Sequence, residues 1–145
     1  MTGAGITRRG VIILLHWSVL MAVLVMIKGG TANETVRWAF VGMGAVWAGL
    51  ALVKGLLGKP GPKLQGTARA IYRPMHIGLY VLLGGAVVIN GAELLGLIAP
   101  GGAWISLLVL LTAGTFHGLF HFWRHTALYD GAFRVMMPRP LHKYL

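Results

Sequence analysis

The chain contains no cysteine. That excludes disulfides, thiolate zinc sites, iron–sulfur clusters and the thioether attachment of c-type haem, so any metal or redox chemistry must rest on histidine. Acidic residues are nearly as scarce: Glu34, Glu93 and Asp130 stand against 13 Lys and Arg, a formal net charge of +10. Charged residues of both signs make up 11% of the 145 residues, whereas a water-soluble domain carries roughly 25%. A soluble fold is therefore excluded. In a soluble chain the excess of base would point to nucleic acid; here the bases fall in blocks between long apolar stretches, which argues for membrane orientation and no nucleic-acid partner. There is no internal repeat, no low-complexity segment and no sign of a second domain.

What is abundant is apolar: 57% of the residues are hydrophobic and the mean hydropathy is +0.74. Four apolar runs, about 10–27, 38–57, 75–98 and 103–123, each approach the roughly 20 residues that cross a hydrocarbon core. They predict an all-α integral membrane four-helix bundle, one transmembrane domain over 1–145 that ends in an amphipathic tail over 124–145. The first run resembles a signal peptide after Thr7-Arg8-Arg9, but it is long for a leader, carries His16 and Trp17, and is followed by Lys28, so a retained helix is expected. Arg8 and Arg9, then Lys54, Lys59, Lys63, Arg69 and Arg73, then Arg124, Arg134, Arg139 and Lys143 flank one side of the runs, with only Lys28 and Arg37 on the other. Both termini are accordingly expected in the cytoplasm.

Histidine inside a bilayer is costly without a partner, which singles out His16 and His117. His16 lies six residues into the first run and His117 six before the end of the fourth. At about 1.5 Å per residue both are about 9 Å from the same face. Facing imidazoles at one depth fit bis-histidine ligation of a b-type haem; a histidine proton relay and plain interhelical hydrogen bonding fit the same spacing. His117, His121 and His125 repeat at i, i+4, i+8 along one helix face. His121 competes with His117 as a ligand, although its depth matches His16 less well. An i, i+4 pair can also chelate zinc, but no carboxylate or thiolate is near it in sequence. His76, just after Arg73 at the start of the third run, reads as an interfacial residue or as a hydrogen-bond partner for a haem propionate or a quinone head group. His125 and His142 read as solvated.

The His16-Trp17 pair, the segment Arg73-Pro-Met-His76-Ile-Gly-Leu-Tyr80, and above all His117-Gly-Leu-Phe-His-Phe-Trp-Arg-His-Thr-Ala-Leu-Tyr-Asp130 with the following Met136-Met137-Pro138-Arg139 resemble the bacterial cytochrome b561 family. That resemblance covers nearly the whole chain. It implies a four-helix inner-membrane protein that binds two haems b, one toward each face, and exchanges electrons with quinone. The ligands of its cytoplasmic-side haem fall on His16 and His117. Those of the other haem fall on Phe40 and Ala103, neither of which can ligate iron, so the resemblance implies a single haem b per chain. Phe40, with Trp38, Trp47 and Trp104, is expected to fill part of the vacated volume.

The function implied is an electron carrier rather than a stand-alone catalyst, passing electrons to or from membrane quinone near His76, Arg73, Tyr72 and Tyr80, or to a partner redox subunit. Two other readings stay open. One is an accessory structural subunit of a larger respiratory or photosynthetic membrane complex with a vestigial haem. The other is an oxidase or reductase acting on a small species such as superoxide.

Overall fold

The computed structural model describes residues 7–144; residues 1–6 and 145, which the expected domain also spans, lie outside the described residues. Four helices follow one another: α1 (Arg8–Gly29), α2 (Glu34–Lys54), α3 (Gly66–Leu94) and α4 (Gly102–Ala127). Two short 3-10 turns, Ala132–Val135 and Arg139–Tyr144, form the tail. Each helix is long and apolar enough to cross a membrane. The arrangement is the all-α, multi-pass architecture expected from the four apolar runs.

Local chemistry sets the helix ends. The Thr7 hydroxyl accepts the Gly10 N–H at 3.2 Å and the Asn33 side chain accepts the Val36 N–H at 3.1 Å, satisfying donors that the first turns leave free. Gly30 and Gly55, at φ of 79° and 73°, end α1 and α2 in backbone that other residues resist. Several boundaries differ from the apolar runs. α3 begins at Gly66 rather than at Met75 and runs through Pro74. Its added turns are held by Tyr72, which is buried beneath the Arg124 guanidinium, 5.2 Å from the ring centroid. Its other end comes at Leu94, short of Ile98. α4 continues past Trp123 to Ala127, because Arg124 is neutralised by Asp130 at 2.5 Å instead of breaking the apolar face. The tail proper therefore starts after Ala127.

Consecutive helices pack side by side, and α1 also touches α4, so the bundle closes. The core is made of Val19, Val23, Met26, Phe40, Leu83 and Leu107 with their neighbours. The outer surface is apolar as well: Leu52 is 87% exposed, Val81 67% and Phe116 68%. A soluble bundle hides such side chains, whereas lipid solvates them. At the end away from the termini, Arg37 pairs with Glu93 at 3.1 Å, and the other Glu93 oxygen accepts the Ala103 N–H at 2.7 Å, capping α4. At the end that carries the termini, the Arg9 guanidinium donates to the Arg134 carbonyl at 2.6 Å and the Trp17 indole to that of Met136 at 3.0 Å, docking the tail on α1.

Candidate functional site

Starting α3 at Gly66 carries His76 almost three turns into the bundle instead of leaving it at the membrane surface. There it meets α4, where His117 and His121 stand one turn apart on the same face. The rings of His76 and His117 lie 4.9 Å apart, those of His117 and His121 4.5 Å, and those of His76 and His121 5.4 Å. One ligand nitrogen from each of the three comes within 4.8 Å of the others.

Hydrogen bonding fixes one tautomer. His76 Nδ1 is 2.7 Å from the Tyr72 carbonyl, which can only accept, so Nδ1 carries the proton and the Nε2 of the neutral ring is a free lone pair. That lone pair faces His121 Nε2 at 3.3 Å. Two nitrogens at the corners of a tetrahedron around a metal, each bonded at about 2.0–2.1 Å, are separated by about 3.3–3.4 Å. The same spacing also accommodates an N–H from His121 to His76.

His16 closes on this group from α1. Its ring packs edge-on against Trp17 at 5.5 Å and Trp47 at 5.4 Å. The buried Nδ1 atoms of His16, His117 and His121 have no hydrogen-bond partner among the described residues. No acid belongs to the cluster. Instead Arg124, Asp130 and Tyr72 form a second layer on the side of the termini: Tyr72 stacks 4.3 Å from His76 and 6.1 Å from His121, Arg124 covers Tyr72, and Asp130 turns back to accept the Ala132 N–H at 2.9 Å.

The residues grouped from sequence as a quinone site separate into two places. Tyr72 and His76 point into the bundle. Arg73 and Tyr80 line a groove of about 470 Å³ on the outer face between α2 and α3, with Leu52, Ile77 and Val81. A chain of rings links the two, since Tyr80 packs 5.7 Å from Trp47 and Trp47 contacts His16. His125 is half-buried against Phe133 at 5.5 Å rather than solvated. His142 reaches the Met137 carbonyl at 3.0 Å, with its ring partly covered.

At the other end, Phe40 and Ala103 are completely buried, as is Leu107, so packed side chains fill that level of the bundle. Among the described residues, His76, His117 and His121 form the one group of three such donors close enough to share a metal.

The buried Nδ1 atoms of His16, His117 and His121 are without a hydrogen-bond partner among the described residues and no acidic side chain belongs to the cluster, a set of imidazole donors chemically able to hold haem iron or a bare transition-metal ion. From sequence Tyr72 enters only with the quinone group, and Arg124 and Asp130 have no role in the site; the i, i+4 spacing of Tyr72 and His76 is the signal that ties Tyr72 to the histidines. No family model, curated protein or solved structure matches the chain.

Proposed function

We propose that the protein is a cytochrome b561-like electron carrier of the bacterial inner membrane, with both termini cytoplasmic and a single haem b held between His16 and His117. The observation that carries this reading is the acid-free cluster of His76, His117 and His121 on α3 and α4, with the His16 ring of α1 packed on Trp47. Haem bound there would supply one-electron chemistry between ferric and ferrous iron. The chain's own residues bind and exclude. His16 and His117 would hold the group, the apolar helices would keep water from it, and His76, anchored by the Tyr72 carbonyl, would set the polarity beside His117.

A membrane quinone is the proposed exchange partner. The groove bearing Arg73 and Tyr80 opens toward lipid, and the rings of Tyr80 and Trp47 lead from it to His16. A partner redox subunit could dock on the same face. The positive end of the bundle supports the orientation, because Lys28 and Arg37 alone of the 13 Lys and Arg lie toward the opposite end.

The 3.3 Å approach of His76 and His121 favours a second reading, in which a first-row transition metal ion sits among His76, His117 and His121 with water as the remaining ligand. Pyridine haemochrome and elemental analysis of the purified chain decide between them. One haem per chain, with a low-spin reduced-minus-oxidised spectrum, is expected. A stoichiometric non-haem metal without haem would replace the first reading by the second.

A further inference from the structure

The groove on the outer face between α2 and α3 is charged at one end and apolar along the rest. Arg73 is the charged residue of its lining; it is exposed and has no hydrogen-bond or ion-pair partner among the described residues. No acid lines the groove. Arg8, from the first turn of α1, donates to the carbonyl of Gly55, another lining residue, at 2.5 Å, and so brings a second positive charge to the same end.

From Arg73 to Gly85 the groove follows α3 for about 18 Å of axis. That is roughly the thickness of one leaflet, half of a hydrocarbon core of about 30 Å. Leu52, Ile77 and Val81 supply apolar walls, and at Gly84 and Gly85 nothing stands within 4 Å of the position a Cβ would take, so the deep end is open. A neutral head group leaves the Arg73 charge unanswered. A ligand with a fixed negative charge and a long apolar continuation answers both ends, and basic residues at the cytoplasmic ends of membrane helices select such lipids. We propose that the groove binds an anionic phospholipid, its phosphodiester at Arg73 and one acyl chain along α3 toward Gly84, and that this lipid competes there with quinone. The lipid site stands on the groove itself; only the competition rests on the quinone reading given above.

The test uses the purified full-length chain in phosphatidylcholine nanodiscs, titrated with phosphatidylglycerol and read by native mass spectrometry. Phosphatidylglycerol should bind in preference to phosphatidylcholine. Arg73→Gln should weaken it about fivefold, the effect of one basic residue near a charged lipid surface. Gly84→Leu, which puts a side chain into the open end, should weaken it at least as much without lowering the melting temperature. Lys59→Gln, which removes a charge from the same end but outside the groove, should change affinity less than twofold. A loss with Lys59→Gln equal to that with Arg73→Gln would reduce the binding to diffuse attraction and overturn the site, and full binding by Gly84→Leu would overturn the place of the acyl chain. Decylubiquinone added to the same discs should bind less as phosphatidylglycerol rises, and Arg73→Gln should relieve that competition. Quinone bound equally at every phosphatidylglycerol content would overturn the competition. Quinone bound at none would remove the quinone reading and leave the lipid site to the phosphatidylglycerol titration alone.

Discussion

A neutral imidazole that leaves water needs a partner for each nitrogen, and the Nδ1 atoms of His16, His117 and His121 have none among the described residues. The two metal readings therefore predict different single-residue phenotypes. With haem between His16 and His117, His16→Ala and His117→Ala each abolish the low-spin spectrum, His121→Ala retains it, and His76→Ala keeps ligation but shifts the midpoint potential. A bare ion in the triad reverses the pattern, because His16→Ala would then keep the metal and His76→Ala would lose it. Spectra and metal content of the four variants separate these outcomes; haem lost with His121→Ala but kept with His117→Ala would move the ligand by one helical turn. A further prediction concerns Arg124 and Asp130, whose side chains are only 5% and 3% exposed. Asp130→Asn should destabilise the chain in detergent by about 3 kcal/mol, because it leaves a buried guanidinium without its counter-charge. Depth counting along the apolar runs singles out His16 and His117 in the sequence. His76 was misplaced by the same method, since its depth depends on where α3 begins.

The four spans could be read from hydropathy because lipid demands about 20 apolar residues regardless of tertiary context. Their ends could not, because ends are set by particular contacts. The third apolar run opens at Met75, yet the packing of Tyr72 under Arg124 extends α3 through Pro74 back to Gly66. The fourth run ends at Trp123, yet Asp130, six residues past Arg124, makes Arg124 an interior residue of α4. Between α2 and α3 the decisive residue is Gly44, where an added Cβ would stand 2.5 Å from Val87 Cγ2 and 3.4 Å from Leu83 Cδ1. The backbones approach there because no side chain intervenes. Gly44→Leu should therefore push α2 from α3 and lower thermal stability by about 2 kcal/mol, the cost of overpacking a close contact. Gly42→Leu, on a glycine with nothing within 4 Å of its Cβ position, should cost far less, and a melting comparison of the two variants checks the difference.

At the scale of the whole molecule, the bundle is chemically one-sided. The imidazoles gather toward the end that carries both termini, whereas the other end is closed by Phe40, Ala103 and Leu107, all without exposure, and by the Arg37–Glu93 pair that caps α4. Between Gly102, where α4 begins, and His117 the helix rises on the order of 20 Å, with no second cluster of metal-binding side chains among the described residues along it. An electron entering from the far face would have to cross that length of apolar protein unaided. On the proposed function, the protein alone in a vesicle should exchange electrons with lipid-dissolved quinone, through the groove proposed for it at Arg73 and Tyr80, but not with an impermeant donor on the side opposite the termini. The measurement is made on oriented vesicles whose sidedness is established by a reporter fused to the C-terminus. Rapid haem reduction by the impermeant donor from the far side would contradict it, and two haems per chain would remove its structural basis. If instead the donor acts only from the termini side or through added quinol, the far half of the bundle serves as an insulator, and the protein completes a transmembrane circuit only with a partner that carries a second cofactor.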